Sequence, residues 1–111
     1  MKIEMARGDL MVQSFTIEAD VVPELTEIYF TVKRTRYDKK PLFQKRLGDG
    51  TIVKVADDEF AFTIQPEDTD HLAFGYYQFD IELVGPSIKK TFVGSFILNS
   101  EITHAENEVS A

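Results

Sequence analysis

Hydrophobic and polar residues alternate along most of the chain, and the longest clean run of that alternation lies between Leu72 and Leu83. Tyr77, Phe79, Ile81 and Leu83 share one side; Gln78, Asp80 and Glu82 share the other. A period of two puts successive side chains on opposite faces of a pleated strand, so this segment predicts a strand with one face on a core and one in water. The pattern recurs from Leu25 to Lys33, where Ile28, Phe30 and Val32 oppose Glu27, Tyr29, Thr31 and Lys33, and from Glu59 to Ile64, where Phe60, Phe62 and Ile64 face inward. Leu10 to Glu18 sends Phe15 and Ile17 inward with Ser14 and Thr16 outward, and Ser87 to Asn99 sends Phe92, Phe96 and Leu98 to the core. Shorter strands are predicted at residues 3–6, from Leu42 to Leu47 (Phe43, Lys45 and Leu47 on one side, Leu42, Gln44 and Arg46 on the other) and from Thr51 to Val55.

Turn chemistry punctuates these runs: Arg7-Gly8-Asp9, Asp20 to Glu24 with Pro23, the polar connection from Arg34 to Pro41, Gly48-Asp49-Gly50, Asp57-Asp58 and Gly85-Pro86. Arg7-Gly8-Asp9 is read as a turn between strands and not as an adhesion ligand. No segment holds a 3.6-residue period over three turns, although Pro66 to His71 fits one short helical turn. Seven to eight short strands separated by frequent turns predict an all-β sandwich or barrel. The corner narrows this. A turn, then Gly75, then Tyr77 entering a long alternating strand is the pattern of a tyrosine corner, so the expected fold is an immunoglobulin-like β-sandwich of seven to eight antiparallel strands. Phe30 takes the place that the buried tryptophan holds in antibody domains. Residues 1–100 are expected to form the single domain, and 101–111 a polar, acidic tail.

Composition sharpens the exclusions. The 111 residues carry a net charge of −7 and no cysteine, and 43% are hydrophobic. The acidic balance opposes nucleic-acid binding, the missing thiols exclude disulfides and cysteine chemistry, and the apolar content suffices for a core. No run approaches the ~18 apolar residues of a membrane helix, and the first residues lack a signal-like apolar stretch, so synthesis and folding in a cytoplasm are expected, without membrane insertion. His71 and His104 stand apart from any metal-binding spacing, and Gly94-Ser95 lies mid-strand, where a nucleophile elbow does not form. Asp49, Asp57 and Asp58 could gather at one end of a sandwich as a calcium site, but aspartates are also what turns favour. The sequence therefore predicts no enzyme, cofactor or metal.

The charges are segregated. Seven of the twelve basic residues, Lys33, Arg34, Arg36, Lys39, Lys40, Lys45 and Arg46, lie in one stretch interrupted by Asp38. Asp57, Asp58, Glu59, Glu67, Asp68 and Asp70 follow with no base among them. One reading is two solvated loop regions. The sharper one is a head-to-tail contact in which the basic loop of one copy, with Tyr37, meets the acidic corner of the next, the corner comprising Asp57, Asp58, Glu67, Asp68 and Asp70. Stacking of bases on Tyr37 and Phe43 is a third, weakened by the acidic remainder.

Several segments in order carry a resemblance: Arg7-Gly8-Asp9 before a strand, Ile28-Tyr29-Phe30-Thr31-Val32-Lys33, Tyr37-Asp38-Lys39-Lys40-Pro41-Leu42-Phe43-Gln44-Lys45, and Phe60 to Pro66 followed by Asp68-Thr69. Gly75-Tyr76-Tyr77-Gln78-Phe79-Asp80-Ile81 and Gly94-Ser95-Phe96-Ile97-Leu98 before Glu101-Ile102-Thr103 complete it. Over roughly residues 5 to 103 the chain resembles small immunoglobulin-like domains of phages and prophages of Gram-positive bacteria, similar to the N-terminal domain of phage baseplate upper proteins. Ala19 to Glu24 is shorter than the corresponding loop of that family and lacks its glycine. The resemblance implies a non-catalytic structural or adaptor module of the virion tail or baseplate. Its partners would be other tail or baseplate proteins or copies of itself, as a homo-oligomer. Phe30, Phe62, Tyr77, Phe79 and Phe96 map to its core. Two other classes stay open: a module binding a host-surface glycan, for which Tyr29, Tyr37 and Tyr76 would group on one patch, and an accessory or regulatory domain.

Overall fold

The computed structural model describes residues 1–100; the expected tail at 101–111 lies outside them. The alternating runs form strands β1 (Lys2–Ala6), β2 (Met11–Thr16), β3 (Glu27–Lys33), β4 (Phe43–Arg46), β5 (Ile52–Ala56), β6 (Glu59–Ile64), β7 (Gly75–Gly85) and β8 (Ile88–Asn99), with one helical turn, α1 (Pro66–Thr69). They make two sheets, β1-β8-β7-β3-β4 and β2-β6-β5. The all-β expectation holds at that level. One part of it does not: β1 runs parallel to β8, with Lys2 opposite Ser95 and Ala6 opposite Asn99, so the strands are not all antiparallel. Alternation fixes which face a strand buries but is silent on the direction of its neighbour.

The core lies where the inward faces meet. Ile28, Phe30 and Val32 of β3 and Phe79, Ile81 and Leu83 of β7 are buried in one sheet, and Phe60, Phe62 and Ile64 of β6 in the other. Phe30 stacks on Phe62 across the sheets with ring centroids 4.2 Å apart, and lies 5.4 Å from Phe79. Full burial of one such ring stabilises by roughly 1.5–3 kcal/mol. Phe79 pairs with Gly94, and a Cβ at Gly94 would sit 2.6 Å from the Phe79 ring and 2.6 Å from the Met1 carbonyl oxygen. The glycine thus leaves room for the ring and for the backbone entering β1.

The corner is held by backbone and side-chain bonds. Tyr77, 4% exposed, donates its hydroxyl proton to the Ala73 carbonyl at 2.6 Å. Asp68 accepts from the Gln65 N–H at 2.8 Å, capping α1. The strand after the corner begins at Gly75, with φ +133°, and not at Leu72, whose N–H bonds instead to the Thr69 carbonyl at 2.9 Å.

Candidate functional site

Strand register sorts the loops into two ends. Lys33 closes β3 opposite Gln78, so the 34–42 loop leaves the same end as the corner at 65–74. The Arg36 N–H reaches Gln78 Oε1 at 2.7 Å, and the Gly8 N–H in the β1–β2 turn reaches Thr69 Oγ1 at 2.8 Å. At the opposite end Glu27 pairs with Val84. There the Thr26 N–H bonds to the Val84 carbonyl at 2.8 Å, the Leu47 N–H to Ile28 at 3.0 Å, and the Ile17 N–H to Asp58 at 2.7 Å. These bonds gather the connections 17–26, 47–51 and 57–58 beside the β7–β8 hairpin.

The basic stretch is divided by this arrangement. Arg34, Arg36, Tyr37, Lys39 and Lys40 are exposed in the loop, with Lys33 half-buried at its base. Tyr37 is 85% exposed, its ring beneath the Arg36 guanidinium. Lys45 and Arg46 belong elsewhere. Lys45 shares the inward face of β4 with Phe43, is 8% exposed, and donates to Asp68 Oδ2 at 2.7 Å. Arg46 donates to Glu27 Oε2 at 2.9 Å and lies over the Tyr29 ring. The acidic corner is divided as well. Glu67 and Asp70 are exposed at the loop end, Asp58 and Asp57 lie at the far end, and Asp68 faces Lys45 within the same chain. Lys45 and Asp68 are therefore corrected from surface positions to an internal ion pair. The reason is alternation: Lys45 falls on the Phe43 side of its strand.

The far end carries acids that a search for dense acidic runs passes over, because they sit on separate loops. Glu18, Asp20 and Glu24 are exposed on 17–26, Asp49 on 47–51, and Asp57 and Asp58 on the β5–β6 turn, with no Lys or Arg in those loops. Asp49 accepts from the Thr51 hydroxyl at 2.6 Å and the Thr51 N–H at 2.9 Å, which holds its carboxyl below the usual aspartate range. Lys54 lies 3.7 Å from Asp57, and Lys89 and Lys90 are exposed beside the β7–β8 hairpin. Among the described residues no three His, Cys, Asp or Glu side chains converge as a cation site.

The outer face of the five-stranded sheet bears Tyr29, Asp80, Glu82 and Tyr76. Partial burial, with the neighbouring Glu82 carboxylate, pushes Asp80 above the ordinary aspartate range against the pull of Lys33. Tyr29 lies opposite Glu82, six residues along β7 from Tyr76, which is roughly 20 Å of strand. The tyrosines therefore do not form the single patch a stacking glycan site needs.

The basic loop and the acidic loops thus stand at opposite ends of one pair of sheets, and among the described residues neither end assembles a nucleophile with a base. No protein-family model matches the chain, and no curated protein matches it either.

Proposed function

We propose that the chain is a non-catalytic, immunoglobulin-like structural and adaptor module that works by protein–protein docking, with its place in a phage or prophage tail or baseplate. The fold reading is supported by the strand order β1-β8-β7-β3-β4 facing β2-β6-β5, by Tyr77 bonded back to Ala73, and by Phe30 buried between the sheets. The setting in a virion rests on the motif resemblance described above.

The observation that carries docking is the charge axis. Arg34, Arg36, Lys39 and Lys40 outnumber the exposed Glu67 and Asp70 at one end, and Glu18, Asp20, Glu24, Asp49, Asp57 and Asp58 outnumber Lys54, Lys89 and Lys90 at the other. Ends of opposite sign favour a heterologous, head-to-tail contact between copies or with a neighbour of matching charge. Exposed charges are screened beyond about 8 Å at physiological ionic strength, so association weakens as salt rises. Light scattering coupled to size exclusion tests this at low and high salt. The expected result is an oligomer that dissociates with salt and with charge reversal at Arg36 and Lys40. An oligomer that ignores both would place the contact elsewhere, and a monomer under all conditions would refute self-docking and leave a heterologous partner.

A further inference from the structure

β1 covers only part of its neighbour. It pairs with β8 from Ser95 to Asn99, while β8 itself begins at Ile88. In that pairing the odd-numbered residues of β8 turn their backbone groups toward β1: the Ser95 N–H donates to the Met1 carbonyl at 3.1 Å, and the Asn99 carbonyl accepts from the Arg7 N–H at 3.0 Å. The same alternation directs the N–H and C=O groups of Lys89, Thr91 and Val93 outward along an edge that no described strand occupies. In the facing sheet β2 is likewise paired on one side only, by β6. Between these two open edges runs a groove of about 690 Å³, floored by Phe15, Ile17, Ile81, Leu83 and Phe92 and closed at one end by Met1.

We propose that this groove is the seat of an extended strand from a partner polypeptide. The strand runs parallel to β8 in line with β1, is apolar at alternate positions, and places a carboxylate beside Lys90. Only an extended backbone supplies both the donors and the acceptors that an open strand edge needs, and only alternating apolar side chains fill such a floor while leaving the other face wet. Direction follows from continuity, because the groove prolongs the lane that β1 already occupies in parallel register. The uncovered stretch from Ile88 to Val93 accommodates about six residues, roughly 20 Å of strand.

Charge identifies the occupant further. Lys90 lines the groove with its ammonium over the Phe92 ring, and although Glu18 shares the groove wall, no carboxylate of the described residues lies within ion-pairing distance of it. A second copy of β8 is disfavoured there, since self-pairing gathers Lys89 and Lys90 of both copies along one seam. The groove borders the acidic end, with Glu18 in its wall, but a strand held by backbone bonds and apolar contact survives salt that dissolves the charge contact, so the two proposals fail independently.

The test is a titration of the isotope-labelled full chain with the peptide acetyl-Thr-Glu-Thr-Val-Thr-Val-Thr-amide, followed by amide spectra and hydrogen exchange. The expected result is that the amides of Lys89, Thr91 and Val93 shift most and exchange more slowly, at low and at high salt alike. A peptide with Lys in place of Glu binds roughly fivefold more weakly, and Lys90→Glu reverses that preference. Thr91→Pro removes an edge N–H that the β7 ladder does not use and abolishes binding; its melting curve reports whether the fold is kept. No shift at these amides up to millimolar peptide, shifts centred elsewhere, or equal binding of the two peptides to both the native chain and Lys90→Glu would overturn the assignment.

Discussion

Removing Asp68 should destabilise the protein more than removing its partner, and removing both should restore part of the loss. Asp68 Oδ2 accepts from the Lys45 ammonium at 2.7 Å and from the Gln65 N–H at 2.8 Å, with the two side chains 10% and 17% exposed. Asp68→Ala takes away the cap of α1, about 1 kcal/mol, and strands an ammonium beside the Phe43 ring. Breaking a buried pair by deleting one member costs about 3–5 kcal/mol; residual exposure here lowers the total to about 3 kcal/mol. For a domain of this size that is on the order of 15 °C in melting temperature. Lys45→Met keeps the apolar stem and leaves a carboxylate that still has its N–H donor, so it should cost about 1 kcal/mol or less. The double variant has no stranded charge, so it should be more stable than Asp68→Ala by about 1 kcal/mol or more. Urea unfolding of all four proteins in a double-mutant cycle measures this. Strict additivity, with Asp68→Ala costing under about 0.5 kcal/mol, would mean that the pair does not form in solution and that both residues are surface after all.

Phe79→Ala should cost about 3–5 kcal/mol in urea unfolding, because it empties the space between Phe30 and Gly94; a melting shift of only a degree or two would place Phe79 outside the core. Tyr77→Phe should cost about 1 kcal/mol by the same measurement, since it removes one bond while the exposed Ala73 can turn to water; a neutral change would mean that the corner does not depend on the hydroxyl. Asp80 has its folded pKa raised by burial and by Glu82, so its ionised form is disfavoured by folding, and its contribution declines as pH rises from the ordinary aspartate value through the folded one. Asp80→Asn should therefore raise the melting temperature at pH 7 and give no such gain once pH falls below the usual aspartate range; an equal effect at both pH values would refute the burial argument.

Much of the fold was legible because alternation is local. β6 and β7 show it without interruption, and Phe60, Phe62, Ile64, Tyr77, Phe79, Ile81 and Leu83 are all buried as their periodicity requires. The tyrosine corner was legible for the same reason, since the turn, Gly75 and Tyr77 fall within a dozen residues. The parallel β1–β8 pairing was not, because it joins residues more than ninety positions apart and no local pattern encodes its direction. The charged surface was half legible. The loop from Arg34 to Lys40 reads correctly as exposed, but Lys45 was grouped with it by charge although it alternates with Phe43, and charge density says nothing of which face a strand turns inward. At the far end Asp49, Asp57 and Asp58 stand out in the sequence as turn aspartates, whereas Glu18, Asp20 and Glu24 join that end only through the way the strands connect.

The pairing of the first strand with the last also bears on how the protein is made. At synthesis rates of roughly 5–20 residues per second, Lys2 to Ala6 are made several seconds before their partner, Ser95 to Asn99. Ile3 and Met5, buried in the finished molecule, must wait in the open until then. Contacts between such distant segments also carry a large loop-closure cost and slow the final step. Until Ser95 to Asn99 appear, the larger sheet is β7-β3-β4 and β1 has no strand to pair with, its apolar side chains exposed for several seconds. Once β8 has docked on β7, its free edge is open to β1, and a chaperone holding β1, or the β1 of a neighbouring nascent copy, competes at that step.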